Sequence, residues 1–186
     1  KEFDIIKPKK NAKGNRLFTQ EDIKSFKLIF NLVKERGFTL DGAKQILMES
    51  FAENAVLLSE LRNYLSENAF LRSSLVKGKE SEGQKFADYF EYSEKINKIP
   101  SHRALALFRG RNESVLSLEL VVDENLLKDE KASNYAQYLI AKHAHIKHEG
   151  KAADDWLQTL VLWTWRVKLQ SFFETEMLGS LRESAE

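Results

Sequence analysis

Arg103, Arg109 and Arg111 fall within nine residues of one another, with His102 alongside. A guanidinium is planar and donates two parallel hydrogen bonds, so one helix end and its turn could present two or three of these to phosphate. Pairing with glutamates of the surrounding body is the commoner use of arginine and is the competing role here. A second basic group, Lys7, Lys9, Lys10, Lys13 and Arg16, crowds the start of the chain, where residues 1–16 hold six cations against Glu2 and Asp4. Clustered cations gain more from counterion release than the same charges spread evenly, so this end is suited to phosphate contact. A lysine-rich end that only solubilises the chain is the alternative.

Other constellations lead away from catalysis. Lys77-Gly78-Lys79 lacks the G-x-x-x-x-G-K-[ST] spacing of a phosphate loop and reads as a turn. His143, His145 and His148 lie close in sequence, but positions 143 and 145 point about 200° apart on a helix, and no carboxylate completes a metal site. Ser101-His102 is adjacent and has the wrong geometry for a Ser-His relay. Asp154-Asp155 and the pair Glu174 and Glu176 do not face each other on a helix, which suits a solvated face or a structural ion pair. These residues point to no enzyme, no cofactor and no metal.

Bulk properties bound the answer further. A chain of 186 residues holds one domain or a small and a medium one. Its 42% hydrophobic and 31% charged content is that of a folded protein rather than a disordered one. The absence of cysteine excludes disulfides and thiolate metal sites, and with no apolar run near ~18 residues the expectation is a cytoplasmic protein without a membrane partner. Net charge is +1 overall, but the first forty residues carry +5 and the other 146 carry −4. The chain opens at Lys1 and stops within a helical pattern, and so reads as a piece of something longer.

The elements expected to position these groups are mainly helical. Phe3–Ile6 and Arg16–Phe18 read as two arms of a wing around the turn residues Asn11 to Gly14. Thr19 caps a helix predicted over Gln20–Arg36, which Gly37 ends, and Thr39 or Asp41 caps a long helix reaching about Glu67. Leu71–Val76 and Val115–Val121 are predicted to pair as a two-stranded element, with an aromatic helical face at Phe86, Tyr89 and Phe90 and a connection to Pro100 between them. Ser101 is expected to cap a helix that Gly110 closes, and Asn125–Glu130 to be a linker. Tyr135, Tyr138, Leu139 and Ala141 mark another helix, and Asp154 caps the last. Trp156, Trp163 and Trp165 read as packing anchors there rather than base-stacking platforms. The predicted fold is a mainly α helical array with a short N-terminal wing hairpin and a small two-stranded β element.

Two resemblances add to this. Gly14-Asn15-Arg16-Leu17-Phe18-Thr19-Gln20-Glu21-Asp22 and Lys34–Leu40 resemble the wing and following helices of MerR-type regulators, whose wing signature is G-x-R-x-[YF]-[ST]-x-x-D. The resemblance implies that Arg16 and Phe18 lie against a DNA backbone, although Phe18 lacks a hydroxyl and the helix-turn-helix that should precede the wing is absent. Ala43–Asn54, Gly78–Phe90, Pro100–Glu113 and Trp163–Arg166 with Glu174-Thr175-Glu176 are similar to Tex-family transcription accessory proteins, in the region upstream of their RNase-H-like domain. That similarity implies a non-catalytic helical scaffold with the transcription machinery as partner, to which the Lys7–Arg16 wing is expected to add weak, non-specific affinity for DNA or RNA. The division expected is 1–43 as a partial MerR-like winged-helix segment and 44–186 as a Tex-like helical segment, meeting at Gly42-Ala43. A chimera, engineered or recombined within a shared helix, is the alternative origin, and a MerR-type DNA-binding regulator fragment the alternative function.

Overall fold

The computed structural model describes residues 9–13, 16–17, 27, 31–128, 134–146 and 154–186. Its contacts divide the chain into two units, Lys1–Leu58 with Gln137–Leu169 and Ser59–Ala136 with Gln170–Glu186. Among the described residues are seven α-helices and two small antiparallel sheets, a mainly α fold. No helix among them is long and apolar enough to cross a membrane.

In the first unit, β1 (Lys9–Lys10) pairs with β2 (Arg16–Leu17) as a hairpin. The arm expected at Phe3–Ile6 and the cap expected at Thr19 lie outside the described residues. The helix predicted to reach Arg36 ends in a π-wound stretch, Asn31–Glu35, and Gly37 leaves it with a φ of +73°. There the Phe38 N–H donates back to the Leu32 carbonyl at 3.0 Å, a glycine-terminated helix end. Helix α1 (Leu40–Ala52) follows, its N-cap Thr39 accepting the Gly42 N–H at 3.0 Å.

The single helix expected as far as Glu67 is divided. Asn54 interrupts it, its side-chain oxygen accepting the Leu57 N–H at 3.0 Å, and α2 (Ala55–Asn68) begins there. Asparagine is among the best caps because its short amide satisfies an otherwise orphaned N–H. Leu40, Ala43, Leu47 and Phe51 recur at helical spacing and meet Trp156, Leu157 and Leu160 of a later helix in the core of this unit.

The second unit is built on a sheet of three strands, not two. β3 (Phe70–Leu75) lies between β4 (Glu91–Lys95) and β5 (Leu116–Val121), antiparallel to both. β4 occupies what the sequence reads as a connection, and a short 3-10 turn, Gln84–Tyr89, stands in place of the expected aromatic helix. The register sets Leu71 opposite Leu120 and Glu94, and Ser73 opposite Leu118 and Tyr92, so these residues share one face. On the other face Arg72 bonds Glu119 at 2.7 Å and the Lys95 ammonium lies over the Phe70 ring at 5.8 Å.

Helix α3 (Ser101–Asn112) starts at Ser101 itself, after an extended Pro100. Gly110 does not close it. A Cβ at that position would stand 2.5 Å from Leu116 Cδ1, so the glycine sits inside the helix where β5 approaches it. The expected linker holds a one-turn helix, α4 (Asn125–Lys128). The buried Asp123 starts both α4 and α5 (Tyr135–His143), accepting the Asn125 N–H at 3.0 Å and the Tyr135 N–H at 3.2 Å.

In the first unit α6 (Asp154–Trp163) begins at the buried Asp154 and is followed by a π-wound turn, Thr164–Leu169. In the second unit α7 (Gln170–Ala185) buries Phe173, Met177, Leu178 and Leu181. Arg62 of α2 bonds Glu176 of α7, its second nitrogen 3.0 Å from the carboxylate.

Candidate nucleic-acid interface

The basic N-terminal group rests on the β1–β2 hairpin. In the backbone register Lys10 pairs with Arg16 and Lys9 with Leu17, so three basic residues belong to two successive rungs. An exposed Lys13 sits in the connecting turn, its N–H donating to Asn11 Oδ1 at 3.0 Å. That Asx geometry is a local reason for the chain to turn here. Lys7 and Phe18, the other members expected at this surface, lie outside the described residues.

The three arginines of α3 do not form one cluster. At 3.6 residues per turn, Arg109 stands about 240° around the helix from Arg103, and Arg111 about 200° from Arg109. Arg103 reaches the sheet, where Nη1 bonds Glu94 at 2.6 Å and the guanidinium lies 5.8 Å from the Tyr92 ring centre. This is the glutamate-pairing role weighed above, and it fixes β4 to α3. Arg109 is exposed and shares Glu113 with Lys85, at 2.9 and 2.5 Å. Both contacts hold the Glu113 carboxyl below its usual range, Lys85 the more strongly. Arg111 points into a groove between α3 and α7.

Tyr92 completes the Arg103 site by donating its hydroxyl to Glu94. Burial, reinforced by that bond, pushes the phenol up to about 12. The hydrogen bond from Tyr92, and then Arg103, hold the Glu94 carboxyl down. A tyrosine whose folded pKa lies above its unfolded value of ~10 stabilises the fold fully below that pH and loses the contribution as pH rises through ~12. The phenolate absorbance of the folded protein is therefore expected to contain one component with a midpoint near 12, absent in Tyr92→Phe. If every tyrosine titrates near ~10, the hydrogen-bonded arrangement is wrong.

The remaining sequence features are placed as turns, ends and packing. Lys77-Gly78-Lys79 is a turn after β3, with Gly78 at φ +85° and Lys79 bonded to Glu82 at 2.6 Å. His143 ends α5 and His145 sits in the following turn at φ 55°, while His148 lies outside the described residues. No group of three or more His, Cys, Asp or Glu among the described residues could hold a metal ion. Glu174 and Glu176 separate, Glu176 to Arg62 and Glu174 to the α3–α7 groove. Trp156 and Trp165 are buried anchors. Trp163 is half exposed, with the Lys44 ammonium 5.7 Å from its ring. Sequence reasoning did not single out Arg182, which joins Arg111 at the groove from α7. It lies 71 positions away in the chain, and no local pattern links the two.

The sequence matches the family described as Tex central region-like over residues 24–186, a span that includes both sides of Gly42. The chain is 50% identical over 154 residues to Protein YhgF of Escherichia coli (strain K12), an overlap covering 83% of this chain and 20% of that protein. It is 41% identical over 157 residues to Protein tex of Bordetella pertussis, covering 83% and 20%. It is 43% identical over 147 residues to the Transcriptional accessory protein Tex of Neisseria gonorrhoeae, covering 79% and 19%. The chain thus spans about a fifth of the length of the curated relatives it matches. With one family match covering most of its residues, and with relatives at these identities, the chain belongs to the Tex central region-like family.

Proposed function

We propose that this chain is a non-catalytic helical scaffold segment of a transcription accessory protein, acting in the cytoplasm beside the transcription machinery and touching DNA or RNA weakly and without sequence preference. The observation that carries the reading is the hairpin register, in which Lys10 stands opposite Arg16 with Lys9 beside them and Lys13 exposed at the turn. Basic residues clustered along a short stretch of chain draw a phosphate backbone through released counterions, and such contacts position a nucleic acid without reading its bases. Arg109 and Arg111 add guanidiniums on α3, while Arg103 serves the fold through Glu94. The relative in Neisseria gonorrhoeae, named a transcriptional accessory protein, supports the setting.

Fluorescence anisotropy with a labelled mixed-sequence oligonucleotide tests this across a salt series. Affinity is expected to fall log-linearly with salt. Replacing Lys9, Lys10, Lys13 and Arg16 together by alanine is expected to weaken binding roughly 100-fold at low salt and to lower the slope by about 3. No detectable binding at low salt would refute the reading.

A further inference from the structure

Three buried or helical glycines of the second unit differ in what surrounds them. A Cβ on Gly83 would stand 2.5 Å from Val115, and one on Gly110 would stand 2.5 Å from Leu116, so packing requires both. Gly179, in the interior of α7, has no such reason. A Cβ there would meet nothing within 4 Å, and the backbone has no positive φ to accommodate. Glycine is a poor helix residue because it gives up the most backbone freedom, so an interior glycine that contacts nothing weakens α7 without serving the fold.

Gly179 borders a groove of about 550 Å³ between α3 and α7. Arg111 and Asn112 face it from α3, and Ser171, Thr175, Gly179 and Arg182 from α7. The α7 residues recur at four, four and three positions, which sets them on one helix face over roughly 16 Å. The Arg111 side chain is exposed and, apart from the attraction of Glu174, its guanidinium is engaged by no hydrogen bond or ion pair among the described residues. Among the described residues the Arg182 guanidinium holds only Glu186, an i,i+4 pair exposed on both sides and readily exchanged for another anion. The Thr175 hydroxyl is spent on the Ser171 carbonyl at 2.9 Å. Glu174 also borders the groove, so the lining carries two guanidiniums against one carboxylate. Burial and the nearby charge of Glu119 push that carboxyl upward, while Arg111 and a main-chain hydrogen bond at Leu120 draw it down.

We propose that this groove seats the phosphodiester backbone of a nucleic-acid strand, with Arg111 and Arg182 on phosphates and Gly179 admitting the strand close to the helix. Arginine matches phosphate through two parallel N–H donors, and a missing Cβ is the usual way for a main chain to approach a ligand. The proposal deepens the nucleic-acid reading above and rests on it.

The test uses the full chain and a fluorescein-labelled mixed-sequence single-stranded 16-mer at low salt. Arg111→Ala with Arg182→Ala is expected to weaken binding at least tenfold and to lower the salt slope by about 1.4, on top of the loss from the hairpin variant. Gly179→Ala is expected to weaken binding while leaving the melting temperature unchanged or higher, which separates a lost approach from a damaged helix. Parental affinity in the arginine variant, with the hairpin variant still impaired, would overturn the groove and leave the functional reading intact. Absence of binding by the parent chain would overturn both. A lowered melting temperature in Gly179→Ala, or displacement of the strand by polyglutamate as readily as by unlabelled strand, would also overturn the groove.

Discussion

Phe173→Ala is expected to lower the stability of the protein by about 3–5 kcal/mol, the range for truncating a fully buried aromatic ring. The ring is fully buried in α7, edge-on to Phe172 with centres 5.1 Å apart, and the Arg62 guanidinium lies 6.0 Å from its centre. Truncation would remove its apolar transfer energy and leave a void that Met177 and Leu181, anchored on the same helix, are poorly placed to fill. Arg62 would keep Glu176 but lose the aromatic surface beneath it. Urea denaturation should show a lower midpoint at unchanged slope, and thermal unfolding a midpoint about 10 °C lower. A loss under ~1.5 kcal/mol would mean that the site collapses around the void and that Phe173 does not anchor this unit.

Leu160→Ala tests the other core, with an expected loss of about 2–5 kcal/mol. Leu160 is fully buried among Ala43, Leu47, Met48, Trp156 and Leu157, so both α1 and α6 lose a shared contact. Native-state hydrogen exchange should find the greatest loss of amide protection in Leu40–Ala52 and Asp154–Trp163. Protection lost equally from β3 and β5 would show instead that the two cores open as one cooperative body.

Much of this architecture is legible in the residues. Thr39 before a helical apolar stripe announces α1, and the alternation of Leu116, Leu118 and Leu120 announces β5 and its partner near Leu71. Readings fail where distant contacts decide. β4 carries Glu91, Ser93 and Glu94, too polar to show a buried face, and it is a strand because β3 offers it a ladder. Gly110 resembles a helix end until Leu116, six residues on, is seen to need its missing side chain. The Asn54 interruption was readable as a cap, yet apolar residues on both sides kept the helical period and hid it.

The candidate interface was legible in the same uneven way. Composition marks the basic N-terminal end, and helical geometry separates Arg109 from Arg103 and Arg111. The choice of Glu94 as the partner of Arg103 depends on β4 and is invisible without it. Arg182 enters only because α7 packs beside α3, and nothing in its immediate neighbours signals a ligand.

The strand order β4-β3-β5 leaves two open flanks, and both are guarded. On the β4 side, Glu91, Glu94 and Lys95 put charge on a strand of five residues, which discourages a neighbouring chain from adding itself. On the β5 side, Glu174 of α7 takes a main-chain hydrogen bond at Leu120. Helix α7 therefore covers this flank at one point, the Leu120 main chain. A truncation that removed α7 would free the Leu120 main chain on that flank, so it is expected to raise the tendency of the protein to self-associate at high concentration.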